Sequence, residues 1–189
     1  MDVMIVPEDP RLDQYLLKPI VECLFQDLDV SANIEVLQDP RMRGVSQALD
    51  PDIIQNDVVD LYPMVDLFLV IVDRDCDRES NEARAQTLQE RSDVDLLVCL
   101  AQEEVEAWML YLHREELHEH LGVGFSDVRD SCDPKDEFAD PLLQSMEWTT
   151  KVGRGRKRAM RELGESWQGL LQVCDELSAF RRRIESVIT

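Results

Sequence analysis

The sequence predicts one α/β domain built on a parallel sheet of about four strands, with flanking helices and a helical extension at the C-terminus. Short apolar runs of strand length alternate along the chain with segments of helical spacing. The run at residues 67–72 has six consecutive apolar residues, as in strands covered on both faces of a parallel sheet. A chain of 189 residues with 44% hydrophobic content can bury such a core.

The first two strands are predicted from short apolar patterns. Residues 3–6 form an apolar run that fits a buried strand. After Pro10, apolar residues at helical spacing predict a first helix, in which Pro19 favours a kink or a break. Residues 34–37 form a weaker second strand, and we predict a second helix over about residues 42–54.

The same alternation continues to about residue 120. Residues 67–72 are the third strand, residues 80–91 are compatible with a helix, and residues 94–100 are the fourth strand. Residues 103–120 are amphipathic and predict a helix. Its inward face holds Val105, Trp108, Met109, Leu112 and Leu117. Right-handed crossovers turn this order into a parallel sheet covered by helices.

The composition divides the chain into three parts of one globular unit. We predict an α/β core, an irregular insert and a basic helical segment packed on the core, at residues 1–121, 122–150 and 151–189. In the last part we predict helices over about residues 156–163 and 166–188, separated at Gly164. The apolar face of the second helix holds Leu170, Leu171, Cys174, Leu177, Phe180 and Ile184.

The formal net charge of −20 is the strongest signal in the composition. Most of such a surface repels phosphates, which excludes sequence-independent binding of DNA or RNA over the whole protein. Residues 151–189 nevertheless contain nine Lys or Arg and five Asp or Glu, a balance of +4, which leaves −24 on residues 1–150. Six basic residues between Lys151 and Arg161 lie in eleven positions without an acid.

Other features predict a cytoplasmic protein with free thiols and no membrane contact. No apolar run approaches the ~20 residues that cross a bilayer, and the acidic N-terminus is unlike a signal peptide. The five cysteines are odd in number and widely spaced, as expected of free thiols in a reducing compartment. Three histidines lack the spacing of a zinc helix and predict a polar helix end, at residues 113, 118 and 120.

Acidic residues follow two of the predicted strands. Glu8 ends the first strand, and Asp73, Asp75 and Asp77 follow the third. Because ligands gather at the carboxyl ends of strands in open parallel sheets, these carboxylates are candidates for one site. Mg²⁺ prefers oxygen ligands and commonly needs only one or two carboxylates. Glu103 and Glu106 begin the helix after the fourth strand, where they suit the helix dipole or could support the same site.

These segments resemble the signatures of the TOPRIM domain. VPEDPRLD at residues 6–13 places a Glu after the first strand, and LFLVIVDRDCD at residues 67–77 places a DxD motif after the third. The resemblance continues in AQEEVEAWML at residues 101–110 and in the tail, residues 155–180. Together these segments look like a branch of small TOPRIM-like proteins that are often encoded beside ATPases of the OLD or ABC type.

The resemblance implies a TOPRIM-like fold and metal-dependent phosphodiester chemistry, as in topoisomerases, primases and OLD nucleases. Glu8 would act as a general acid or base or as a metal ligand, Asp73 and Asp75 would hold Mg²⁺ or Mn²⁺, and Asp77 would assist. The resemblance also implies an OLD/ABC-type ATPase partner and a role in defence against foreign DNA or in DNA repair. DNA and RNA both remain candidate substrates, and a homo-oligomer is compatible with the sequence.

Two interpretations of the basic run remain open. Arg154, Arg156, Lys157 and Arg158 would contact substrate phosphates, or the run would be a helix held to the acidic body by salt bridges.

Two other functions compete with a nuclease. A degenerate TOPRIM-like module that binds a basic partner is favoured by the acidic surface and by Asp9, which stands where the family commonly has glycine. DRDCD also resembles the nucleophile motif of haloacid-dehalogenase-type phosphatases, but that motif normally follows the first strand, and Asp77 departs from it.

Overall fold

The computed structural model describes residues 1–188 and has a sheet of four parallel strands in the order β2-β1-β3-β4. The strands are β1 (Asp2–Pro7), β2 (Asn33–Val36), β3 (Leu67–Asp73) and β4 (Leu96–Ala101). The predicted α/β class, with four parallel strands, flanking helices and a C-terminal helical extension, is confirmed. The predicted strand positions are confirmed to within two residues at each end.

Helices cover both faces of the sheet. The first half of the chain contains α1 (Pro10–Asp27), α2 (Val45–Ala48), α3 (Pro51–Ile53) and α4 (Arg78–Arg91). The second half contains α5 (Glu106–Leu112), α6 (Arg114–Leu121), α7 (Phe125–Asp130), α8 (Asp140–Ser145), α9 (Arg156–Ala159), α10 (Leu163–Val173) and α11 (Asp175–Ile188). Short π-helical and 3-10 turns lie at Ile54–Val58, Val59–Leu61, Lys135–Ala139, Val152–Gly155 and Met160–Glu162.

Alternating side chains of the strands enter two separate cores. In β1, Val3 and Ile5 join one core and Met4 and Val6 join the other. The first core is closed by α1, α5 and the C-terminal helices, and the second by α2, α3 and α4. All the apolar residues predicted to face inward from residues 103–120 and from the tail are buried. Because both faces are covered, the strands are apolar throughout rather than alternating with polar residues.

Several predicted helix bounds were wrong. Residues 122–150 were expected to be irregular, but they include α7, a π-helical turn and α8. The predicted helix at residues 103–120 is broken at His113, whose buried ring contacts the carbonyl oxygen of Ala159 at 2.9 Å. The tail breaks at Cys174, and Gly164 lies inside α10. Pro19 lies within a continuous α1.

The expectation that all five cysteines are free thiols was also wrong. Cys76 and Cys132 form a disulfide, with their Cα atoms 5.5 Å apart and 56 residues between them in sequence. The remaining three cysteines are free thiols. The spacing in sequence did not reveal the pair because only the fold brings the segment after β3 against the segment after α7.

No helix within residues 1–188 is both long enough and apolar enough to cross a membrane.

Candidate functional site

Two of the predicted acidic residues, Glu8 and Asp73, lie at the carboxyl ends of the two central strands of the sheet. β1 and β3 are neighbours at the centre of the sheet, with Pro7 in register with Ile71, while β2 and β4 are added on opposite sides. Such a switch point leaves a crevice outside the carboxyl ends of the two central strands, where ligands of open α/β sheets bind. Glu8 and Asp73 end these two strands, so the fold brings both of them to this crevice.

Asp73 is a strongly perturbed carboxyl group at the crevice. One of its oxygens accepts a hydrogen bond from the backbone N–H of Val105 at 2.8 Å. Burial raises the pKa of Asp73 well above its ordinary value, and repulsion from Glu106, Glu8 and Asp13 raises it further. A buried carboxylate held among several other acids is an arrangement expected of a cation site.

Glu8 has an oxygen without a partner. Its Oε2 atom is buried and makes no hydrogen bond with residues 1–188. Burial raises the pKa of Glu8, and the nearby carboxylate of Asp75 raises it further. The following residue, Asp9, has an extended backbone (φ −131°) and caps α1 by accepting the N–H of Arg11 at 3.0 Å. The turn after Glu8 therefore needs no glycine.

Asp13 is a member of the cluster that sequence reasoning missed. It lies in the first turn of α1 and accepts the N–H of Asp9 at 2.9 Å. Burial raises the pKa of Asp13 to about 7, and the carboxylates of Glu106 and Glu8 contribute to that rise. Its place one helical turn after the cap puts it beside Glu8, a signal already present in the segment VPEDPRLD.

Asp75 and Asp77 lie on the segment that leaves β3. Asp75 has a left-handed backbone (φ 49°), and its N–H donates to the carbonyl of Glu103 at 3.0 Å. Burial raises the pKa of Asp75, with repulsion from Glu103 and Asp77 as further causes. Asp77 is exposed. The disulfide at Cys76 ties this segment to Cys132 and so restrains the neighbouring Asp75, which is half-buried, whereas Asp77 is exposed.

The two glutamates proposed as supporting groups have different surroundings. Glu103 is buried and accepts hydrogen bonds from the guanidinium groups of Arg74 and Arg78, both at 2.7 Å, which fixes the segment after β3. Glu106 is also buried, and its carboxylate contributes to the raised pKa of Asp73. Of the two, Glu106 therefore lies in the cluster itself, whereas Glu103 stabilises the neighbouring loop.

The basic run divides between the interior and the surface. Arg156 is fully buried; its guanidinium donates to Glu106 at 2.8 Å and to Asp140 at 3.1 Å. The expectation that Arg156 contacts a substrate phosphate is corrected, because this side chain is not accessible to a polyanion. Lys157 and Arg154 are exposed, as expected of phosphate contacts. Arg158 is exposed as well and lies over the ring of Trp148.

Lys135 is a second cation near the cluster. It is half-buried, and its backbone N–H donates to Glu104 at 2.5 Å. Burial opposes the charged form of Lys135, but the carboxylates of Glu106, Glu104 and Asp73 leave its pKa raised overall. With Arg156, it supplies positive charge on one side of an otherwise acidic crevice.

The residues present fit a hydrated divalent cation better than a closed metal cage. Within residues 1–188, no three His, Cys, Asp or Glu side chains are already gathered into a group that could hold a metal ion. Mg²⁺, however, usually keeps several waters and takes only one or two carboxylates from the protein. Glu8, through its unpartnered Oε2, and Asp73 supply two such carboxylates, with Asp75 at the rim.

The raised pKa values predict how the stability of the metal-free protein depends on pH. A carboxyl whose pKa is raised on folding binds more protons in the folded state, so its contribution to the free energy of unfolding falls as the pH rises. We expect this free energy to decrease from about pH 4, the ordinary carboxyl pKa, to above about 7, the value reached by Asp13 and Glu104.

Urea unfolding with EDTA across that range measures the effect, and Mn²⁺ should reverse part of the loss at the alkaline end because it binds the ionised carboxylates. The carboxyls whose pKa is lowered, Asp9, Asp27 and Glu176, lose their contribution only at more acidic pH. A free energy of unfolding that rises between pH 5 and 8 in EDTA would contradict the arrangement.

Comparison of the chain with models of protein families, with curated proteins and with solved structures found no match.

Proposed function

We propose that the protein carries out Mg²⁺- or Mn²⁺-dependent phosphodiester chemistry of the TOPRIM type on a nucleic acid, as a nuclease subunit. The observation that carries the proposal is the meeting of Glu8 and Asp73 at the switch point of the sheet, with a buried glutamate oxygen that has no partner. The TOPRIM-like signatures at residues 6–13 and 67–77 support it, since they supply these same two carboxylates.

Several residues of the chain would have separate roles in such a reaction. Glu8 and Asp73 would hold the divalent cation, with Asp75 at the rim, and the cation would supply Lewis-acid stabilisation of charge on the phosphoryl oxygens. Val105 orients Asp73 through its N–H, at 2.8 Å. Asp13, with a pKa of about 7, is suited to exchange a proton near neutral pH. Lys135 would offset part of the negative charge that meets an incoming phosphate.

An ATPase of the OLD or ABC type is the partner that the resemblance favours, with defence against foreign DNA or DNA repair as the setting. The charge of −24 on residues 1–150 supports the need for a partner, because a body this acidic holds a polyanion poorly by itself.

A second candidate is a catalytically degenerate module that docks a basic partner. It is favoured by the same acidic surface and by the lack of a gathered metal-ligand group within residues 1–188. The two candidates differ in whether a divalent cation binds at Glu8.

Calorimetric titration of the metal-free protein with Mn²⁺ tests the proposal. We expect one ion to bind the wild type, with proton release that grows as the pH is lowered from 8 toward 6, because binding requires ionised carboxylates. Glu8→Gln keeps the size of the side chain and should abolish this binding, whereas Glu35→Gln, on the exposed surface of β2, should not. Absence of Mn²⁺ binding to the wild type would favour the degenerate module.

A further inference from the structure

A cavity of about 460 Å³ lies between α1 and the segment that begins at α9. Three cationic side chains line it, Lys18 from α1 and Lys157 and Arg161 from the other wall. Tyr15 and Met160 contribute aromatic and apolar surface, and Glu22 is the one acidic residue in the lining. A volume of this size is within the range of ligand-binding clefts.

The three cations are available to a ligand. All three are exposed, and none of their side chains makes a hydrogen bond or an ion pair with another residue among positions 1–188. Other cations, such as Arg156, Arg129 and Arg181, are paired with carboxylates, whereas these three are not. Three unpaired cations facing one cavity therefore leave a local surplus of positive charge.

The walls of the cavity are joined by close packing. Gly153 has a left-handed backbone (φ 62°), and a Cβ atom placed there would lie 2.3 Å from the ring of Tyr15. Glycine at this position lets the loop before α9 lie directly on α1. The cavity is consequently formed by segments that already contact each other, and it does not depend on a ligand to assemble.

The same two elements also line the carboxylate crevice. In α1, Asp13 belongs to the acidic cluster and Lys18 lines the cavity, five residues or about 7.5 Å further along the helix. In α9, Arg156 donates to Glu106 while its neighbour Lys157 lines the cavity. The cavity and the carboxylate crevice are therefore built on the same two elements, α1 and α9.

We propose that this cavity binds the phosphate backbone of a single nucleic-acid strand and leads it to the carboxylate crevice. A strand is favoured over an acidic peptide because Tyr15 adds an aromatic surface of the kind on which bases stack, and because the cavity shares α1 and α9 with the acidic cluster. The inference rests on the proposed function for its substrate class.

Binding of a fluorescent ten-nucleotide DNA strand, followed by anisotropy at low ionic strength, tests the proposal. The parent is Asp73→Asn, which avoids cleavage during the measurement. Adding K18Q, K157Q and R161Q together should weaken binding at least tenfold and lower the slope of log affinity against log salt by about 2, since each phosphate contact on a single strand contributes about 0.7. A control with R84Q, R91Q and R182Q removes the same charge from exposed positions outside the cavity.

Each outcome of the binding measurement either supports or overturns the proposal. A selective loss in the cavity variant supports the proposal. Equal losses in both variants, no loss in either, or no measurable binding by the parent would each overturn it. Binding of a polyglutamate peptide as tight as that of DNA, with the same sensitivity to the three substitutions, would instead assign the cavity to an acidic protein. A separate Mn²⁺ titration of K18Q/K157Q/R161Q, with Asp73 intact, measures the metal site independently of the cavity. A failure of strand binding is thereby distinguished from a failure of metal binding.

Discussion

Asp73→Asn is expected to remove divalent-cation binding and metal-dependent activity while making the metal-free protein more stable. Asparagine keeps an oxygen that can accept the Val105 N–H, so the local backbone should be preserved. It lacks the charge that burial and the carboxylates of Glu106, Glu8 and Asp13 oppose. Substituting residues that merely orient metal ligands lowers metal affinity by about 10–100-fold, and a direct ligand should cost at least as much.

The sign of the stability change follows from the raised pKa of Asp73. At pH 7 the unfolded aspartate is ionised, whereas the folded state either takes up a proton or bears repulsion, and both lower the free energy of unfolding. Asparagine avoids this cost. The gain should be absent near pH 4, where unfolded aspartate also begins to be protonated, and should grow as the pH rises.

Urea unfolding of both proteins in EDTA at pH 4 and pH 8, with Mn²⁺ titration at pH 8, measures the two effects. Asp93→Asn is a matched control, since Asp93 is exposed and precedes β4 at the opposite edge of the sheet. Retention of wild-type Mn²⁺ affinity by Asp73→Asn would remove Asp73 from the site. A loss of stability at pH 8 would mean that this carboxylate has a structural partner.

The sequence predicted those residues of the site that lie at the ends of strands. Glu8 and Asp73 could be placed because each follows an apolar run, and parallel strands bring their carboxyl ends to one edge. Asp13 lies one helical turn after Asp9, a placement that the segment VPEDPRLD already contained. Lys135 belongs to a segment predicted as irregular, and its approach to the cluster depends on how residues 122–150 pack. No local pattern contains that information, which is also why the Cys76–Cys132 disulfide was missed.

The sequence alone also could not separate the six cations of the basic run by role. Its six cations look alike in sequence, but Arg156 forms a buried ion pair, whereas Lys157 is exposed and lines the cavity. Helical geometry separates them, because Arg156 and Lys157 are adjacent in α9 and project about 100° apart. One side chain enters the protein toward Glu106, and the next reaches the cavity beside α1.

Arg156→Met should therefore lower the free energy of unfolding by about 3–5 kcal/mol, the range for breaking a buried ion pair by removing one partner. Methionine retains much of the length of the side chain, but it removes the guanidinium that pairs with the buried carboxylate of Glu106 beside Asp73. The control Arg91→Met removes an exposed pair with Asp52, for which about 0–1 kcal/mol is expected.

Combining Glu106→Gln with Arg156→Met tests whether the unpaired charge of Glu106 causes the loss of stability. If it does, the neutral glutamine should recover part of the lost free energy of unfolding. Urea unfolding of the four variants gives these differences, and anisotropy with the DNA strand gives binding per folded molecule. Since Arg156 is fully buried, we expect Arg156→Met to bind the strand as the wild type does once corrected for the folded fraction. Unchanged stability with weakened strand binding would return Arg156 to the phosphate contacts and require it to leave its pocket when substrate binds.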